Sequence, residues 1–359
     1  MTETELKPVV ESLIYLAEEP LTEASILAIV GKEHKELLKP VLARLIEEYQ
    51  SVEHGIEIKE IANGLKFPEG PVAMDDGSVI VVEIATGKIT RVKMDGSMQT
   101  IATPGGGPNG LAVGPDGHLY CCNNGGNFEM NIVNGLMIPG HTPPDHKGGR
   151  IERINISTGK VEVLYSQCDG KNLLAPNDIV FDTEGGFWFT DHASNNAERR
   201  LHGALYYAKA DGSKITKVLR ELTSPNGVGL SPDGHHVYYA ETMPGRLWEL
   251  PLASPGVAKP VAGFTPANFV GAYPGLAYFD SLGVQADGAV CVATILAGGI
   301  STFWPGTGKF EHTPLDDLIV TNICWGGKDM KTAFITMSST GRLAMCDWRS
   351  AGLRLAYNA

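Results

Sequence analysis

The chain has 359 residues, 43% of them hydrophobic, and a formal net charge of −12 at pH 7. That is enough apolar material for one large core or two smaller ones. The acidic balance argues against nucleic acid and anionic membrane surfaces as partners, since clustered Lys and Arg bind both. No run of 18 or more apolar residues occurs, and the first residues are acidic, with no basic flank or cleavage site. Neither a membrane-spanning helix nor a secretory leader is therefore expected, and a cytoplasmic location is. Six scattered cysteines without a CxxC pair agree with reduced, mostly buried thiols.

Residues 5–50 read as three helices. Val9, Val10, Leu13, Ile14 and Leu16 follow helical spacing. Beyond Glu19-Pro20, Thr22-Glu23-Ala24-Ser25 opens a second helix that ends near Gly31. Leu37, Leu38, Val41, Leu42, Leu45 and Ile46 predict a third. Residues 1–60 carry 13 acidic and 6 basic side chains, net −7, so DNA binding is not expected here. Protein docking, dimerisation or a structural role is. The expected division is a helical, winged-helix-like module over 1–55 and a strand domain over 56–359.

In the strand domain one spacing recurs six times. A polar residue opens a short apolar run, and a turn residue closes it about seven residues later. The pairs are Glu69 with Asp76-Gly77, Asn109 with Asp116-Gly117, Asn177 with Glu184-Gly185, Asn226 with Asp233-Gly234, Asp280 with Asp287-Gly288 and, more weakly, Asn322 with Lys328-Asp329. Asp-Gly between apolar runs signals a hairpin. Each hairpin is followed by a third strand that begins with Gly, as at Gly87, Gly149 and Gly203. Six four-stranded repeats predict an all-β, six-bladed β-propeller. Ile56–Ile61 would be the outer strand of the last blade, closing the ring against Gly341–Trp348. The second interval is the longest, 68 residues. It leaves a loop over 125–147, rich in Gly, Asn, Pro and His, expected to be a lid.

In a propeller the innermost strands converge on one channel, so the six polar slots should ring one of its ends. Asn and Asp also favour strand entries because they hydrogen-bond neighbouring backbone, and a single Pro-Asn-Gly says little. The argument rests on six slots in register, two of them acidic. Glu69, Asn177, Asn226 and Asp280 would bring two carboxylates and two carboxamides together. Two uncompensated carboxylates repel, and a divalent cation resolves the repulsion. All-oxygen ligation suits Ca²⁺, Mg²⁺ or Mn²⁺ better than Zn²⁺.

The motifs FPEGP (Phe67–Pro71), APND (Ala175–Asp178), SPNG (Ser224–Gly227) and FDSLGVQADG (Phe279–Gly288) resemble the gluconolactonase / senescence marker protein / luciferin-regenerating enzyme family over about residues 58–350. The resemblance implies a six-bladed propeller with one catalytic divalent metal and hydrolysis of sugar lactones. Related propellers hydrolyse organophosphates. By motif, Glu69, Asn226 and Asp280 match metal ligands. Asn177 matches a position that binds metal in some members and substrate in others, and Asp178 a substrate-contacting position. Asp280 also matches the residue proposed as general base or nucleophile. Calcium is the expected ion, with Mn²⁺, Mg²⁺ or Zn²⁺ as alternatives. The chain has no GxSxG elbow and no HExxH spacing. The expected reaction is opening of a lactone, with the metal as Lewis acid and Asp280 as base. Hydrolysis of organophosphates or other esters, or a non-catalytic metal-binding scaffold, remain open.

Further expected substrate contacts are His192, just after the Phe187–Thr190 run, Asn109 in its slot, and Asn123 with Asn124 near the channel mouth. Asn322 is expected as a pocket wall or bystander. At the N-terminus, ESLIYLAEEPLT and LLKPVLARLIEEYQSVEHGIEIKEIANG resemble the first winged-helix domain of bacterial segregation and condensation protein B.

Overall fold

The recurrent Asp earns its place through one hydrogen bond. Its carboxylate accepts from the backbone N–H two residues on, which pre-folds the turn. The pairs are Ser78 N with Asp76 Oδ1 (2.9 Å), His118 N with Asp116 (3.1 Å), His235 N with Asp233 (2.9 Å), Ala289 N with Asp287 (3.1 Å) and Lys331 N with Asp329 (3.2 Å). In the third repeat Glu184 occupies the expected position, and Asp182 takes the role instead. It accepts from Glu184 N and Gly186 N, both at 2.9 Å. The sixth repeat lacks the glycine, and Met330 adopts the left-handed conformation (φ 56°) in its place.

The computed structural model describes residues 2–16, 21–50, 57–196 and 198–358. The chain divides into two units, Met1–Glu57 and Ile58–Ala359. The first holds helices α1 (Glu3–Leu16), α2 (Glu23–Val30) and α3 (Lys35–Gln50). Thr22 and Ser25 cap α2 reciprocally, each side chain accepting from the other's backbone N–H at 3.1 Å. Leu6, Val10, Ile26, Val30, Leu38, Val41 and Leu45 form its core. The buried face of α1 therefore starts one turn earlier than the spacing predicts, and Val9 and Ile14 are exposed at 40% and 48%. The side chains of Leu16 and Ile46 lie outside the described residues.

The second unit is a six-bladed propeller of antiparallel blades, five of them four-stranded and the fourth five-stranded, since Val257–Ala258 and Asn268–Ala272 both pair with Arg246–Ser254. Its inner strands are Pro68–Ala73, Pro108–Val113, Pro176–Phe181, Pro225–Leu230, Tyr278–Val284 and Val320–Gly326. Lys59–Ala62 pairs with Arg342–Asp347 and supplies the outer strand of the last blade, so the ring is closed by the two ends of the unit. The first two strands of a blade are buried on both faces, the outer strands such as Met98–Ala102 and Lys309–Pro314 are largely exposed, and apolar clusters fill the gaps between neighbours. Tyr120, Phe181, Phe187, Phe189 and Tyr206 do so between the second and third blades. The segment after the last blade strand crosses the far end of the channel. There Ala286 N donates to Ala351 O (2.9 Å), Gly352 N to Met330 O (2.8 Å) and Leu353 N to Val284 O (2.8 Å). Among the described residues no helix is long and apolar enough to cross a membrane.

Every inner strand is bulged at its slot. The register with the second strand shifts between Glu69 and Val72, Pro108 and Leu111, Pro176 and Ile179, Pro225 and Val228, Phe279 and Leu282, and Val320 and Asn322. A bulge bends the strand and re-aims one side chain. The next residue then presses against the neighbouring inner strand. A Cβ on Gly110 would stand 2.6 Å from Asn177 O, and one on Gly227 would stand 2.6 Å from Leu282 N. These contacts account for the glycine in Pro-Asn-Gly.

Candidate metal centre

Glu69, Asn109, Asn177, Asn226 and Asp280, from five different blades, line one cavity of about 440 Å³ together with His192. The five slot residues reach it because each bulge turns its side chain toward the channel end. Asn322, the sixth slot residue, does not line it. Its Nδ2 donates to Glu69 Oε2 at 2.9 Å, and its Oδ1 accepts from Ile323 N at 2.8 Å. Gly70 N also donates to Glu69 Oε2. One oxygen of Glu69 is thus fully engaged, while Oε1 is buried and has no partner. Asn177 Oδ1 is likewise buried and unpartnered. Asn226 lies between Thr242, whose Oγ1 accepts from its Nδ2 (3.1 Å), and Ser281, whose hydroxyl donates to its Oδ1 (3.3 Å).

Burial of this acidic group has a large electrostatic consequence. Desolvation, with repulsion from Asp280 and Asp178, raises the Glu69 carboxyl well above the ordinary range. Burial and the nearby Asp178 push Asp280 up to about 8, against a hydrogen bond from Asn226. Asp178, one residue beyond its slot, is pushed up to about 7 by burial. Its oxygens accept from Ile179 N (2.9 Å) and Val228 N (3.2 Å). It faces the lower channel beside Leu111, Val228 and Leu282 rather than the cavity. Two orphaned oxygens beside two carboxylates that resist ionisation form a donor set that fits a hard divalent cation, and Glu69, Asn177, Asn226 and Asp280 are able to hold one. Among the described residues no three His, Cys, Asp or Glu converge as a metal site, so the cluster is distinctive in depending on carboxamides.

His192 is 8% exposed. Burial lowers its pKa to about 4, so it is neutral, with its ring edge-on to Phe128 at 5.7 Å. The Asp191 carboxylate does not contact it. Asp191 accepts instead from Leu174 N (2.7 Å), Ala175 N (2.8 Å) and Ala193 N (3.0 Å), which shapes the loop that carries the histidine. Asn123 does not line the cavity. Its Nδ2 donates to Gly105 O (2.9 Å) and Glu152 Oε2 (3.0 Å), and its Oδ1 accepts from Gly107 N and Gly125 N, both at 3.0 Å. The buried Asn124 likewise accepts from Gly126 N and Asn127 N (2.9 and 3.0 Å).

The loop over 125–147 is not structureless. It contains a hairpin, Met130–Val133 with Leu136–Pro139, and Phe128, Ile138 and Thr142 form cavity wall. Met137 N bonds Ser339 O (2.9 Å) in the last blade, and Thr142 N bonds Asn195 O (2.8 Å) in the third. A larger cavity of about 550 Å³ between the third and fourth blades contains none of the slot residues. Arg200, Tyr278 and Met243 also line the slot cavity. Sequence spacing does not reveal them: Arg200 and Met243 lie on loops outside the repeat, and Tyr278 opens an inner strand two residues before its slot.

The fold is a six-bladed propeller with a ring of buried oxygen donors at one channel end. The chain belongs to the SMP-30/gluconolactonase/LRE-like family, whose model matches residues 67–339. The model of the segregation and condensation complex subunit ScpB matches residues 8–93, running from the helices into the first blade. The chain is 28% identical to the lactonase drp35 of Staphylococcus haemolyticus over 258 residues, 71% of either chain. In fold it resembles a gluconolactonase of Xanthomonas campestris (TM-score 0.64, 19% identity, 81% of this chain and 89% of that one). It also resembles regucalcin of Agrobacterium tumefaciens, described as a calcium-binding protein (TM-score 0.59, 17% identity, 81% and 95%).

Proposed function

We propose that this protein hydrolyses lactones, with a divalent cation held by Glu69, Asn177, Asn226 and Asp280. The observation that carries the reading is the pair of buried, unpartnered oxygens, Glu69 Oε1 and Asn177 Oδ1, in a cavity wall shared with Asp280. Calcium is favoured because every donor is an oxygen and because one structural relative is a calcium-binding protein. When bound, the cation supplies positive charge to a lactone carbonyl oxygen as negative charge develops there.

The protein's own groups do the rest. Asp280 accepts a proton from water as its oxygen adds to the carbonyl carbon. The ring C–O bond then breaks, the alkoxide takes back the proton held by Asp280, and an open hydroxy acid leaves. Asn109 and neutral His192 contact the substrate. Asn322 and Gly70 hydrogen-bond one oxygen of Glu69 and so aim its other oxygen into the cavity. Asp178 and Asn123 act in the framework, fixing Val228 N and the Gly105–Gly107 turn. The Phe128–Thr142 segment excludes bulk water from the cavity.

The test is elemental analysis of purified protein joined to a pH-indicator assay on sugar and aliphatic lactones, with and without chelator. One tightly held divalent ion and chelator-sensitive acid release are expected. Metal-replete protein that releases no acid from any lactone in the panel refutes the reading.

A further inference from the structure

Among the described residues, Arg200 is the only Lys or Arg in the wall of the slot cavity. It sits on a tight excursion between the second and third strands of the third blade. That excursion is tied by the bridge between Asn195 and Arg200, by Leu201 N to Ser194 O (2.9 Å) and by Asn127 Nδ2 to Ala193 O (3.2 Å). The guanidinium donates once, from Nη1 to the fully buried Ser224 hydroxyl at 2.6 Å. A guanidinium has five N–H donors, and among the described residues this is its only side-chain hydrogen bond. No carboxylate of the described residues lies within ion-pair distance of it. Partial burial pulls its pKa down, and its charge reaches His192 in the same wall. Leaving a partly desolvated cation unpaired is costly. The protein anchors it nonetheless, beside apolar walls supplied by Phe67, Phe128 and Met243.

We infer that Arg200 receives an oxyanion on the substrate: the lactone this cavity takes bears a carboxylate or phosphoryl group. That group pairs with the free edge of the guanidinium while the ring carbonyl turns toward Glu69 and Asp280. The fork geometry of Arg suits either oxyanion. The inference rests on the lactonase reading for the ring chemistry, but not for the anion contact. With a net charge of −12 the protein's overall field repels anions, so a local cation is what an anionic substrate needs.

The test compares matched lactones: 5-oxotetrahydrofuran-2-carboxylate against its carboxamide, and a 6-phospho-sugar lactone against the unphosphorylated one. Wild type should favour at least one anionic member over its uncharged partner by about tenfold or more in kcat/KM. The pair that shows the preference identifies the oxyanion. Arg200→Met keeps the aliphatic stem. It should lower kcat/KM for the anionic lactone by about 10- to 100-fold, the loss of one charge-assisted pairing, and change the uncharged one by less than about threefold. Arg200→Lys should recover part of the loss. Ser224→Ala, which keeps the charge but frees the side chain, should lie between wild type and Arg200→Met. Melting temperatures establish that each variant is folded. Equal losses on charged and uncharged lactones, or no loss, overturn the inference and leave the lactonase reading standing. If no lactone is turned over, the lactonase reading fails, and calorimetric binding of 2-hydroxyglutarate decides. A Kd raised at least tenfold by Arg200→Met sustains the anion site, and absent or unchanged binding overturns it.

Discussion

Raising the pH of the metal-free protein from 5 to 8 should weaken its fold, and a divalent cation should reverse the effect. Asp280 and Asp178 stand at about 8 and about 7 in the folded protein, and Glu69 is displaced in the same direction. In the unfolded chain Asp ionises near about 3.9. A carboxyl whose folded pKa is raised stabilises fully below its unfolded value, and that stabilisation is lost as the pH climbs through the folded value. The window is therefore about pH 4 to 8. Each pKa unit is worth about 1.4 kcal/mol. Because the groups' mutual repulsion must be counted once, the loss across the window is on the order of 5 kcal/mol. For a domain of this size that is on the order of 10 °C in melting temperature. A cation bound among these oxygens compensates the charge, so its stabilisation should grow with pH. Thermal melts at pH 5, 6, 7 and 8, with EDTA and with calcium, measure both effects. Asp280→Asn should raise the metal-free melting temperature at pH 8 and abolish the calcium effect. A calcium-induced shift that is the same at pH 5 and pH 8, or larger at pH 5, refutes the reasoning.

Asp280→Asn should also abolish turnover while the propeller stays folded by circular dichroism; unchanged turnover removes its role as base. Asn322→Leu should weaken cation binding by about 10- to 100-fold by removing the side-chain donor to Glu69 Oε2 and leaving only Gly70 N, which calorimetry would detect. Gly110→Ala places a Cβ against Asn177 O and Asp178 Cα and should cost about 1–3 kcal/mol in denaturant unfolding, with cation affinity falling alongside. Removing residues 1–57 should leave a closed propeller, whereas removing residues 1–62 deletes the strand paired with Arg342–Asp347 and should lower the melting temperature sharply.

Much of the propeller is legible in the sequence because its turns are local. An Asp that accepts from its own backbone two residues on, followed by glycine, needs no distant partner, so the six repeats can be counted directly. The slots are legible because strand entry sets them in register. What distinguishes one slot from another depends on contacts between residues far apart in the chain. Asn322 reads as a bystander until it is seen donating to Glu69, 253 positions away. Asp178 reads as a substrate contact by motif, yet the bulge at Asn177 sends it down the channel, where it bonds Val228 N. Asn123 reads as a mouth residue, yet its amide is consumed by four bonds, three of them to residues 16 to 29 positions away. Arg200 carries no pattern, because it lies on a loop outside the repeat.

Glu69 lies in the first blade to be synthesised and Asn322 in the last, and the strand that closes the ring precedes the former by only a few residues. Glu69 therefore lacks the side chain that orients it until the chain is nearly complete. Long-range closure of this kind is slow, and on the proposed reading cation capture would follow it. A stoichiometric signal from the bound ion would consequently report completed circular assembly. Chains halted anywhere before the sixth blade should not hold the ion with native affinity.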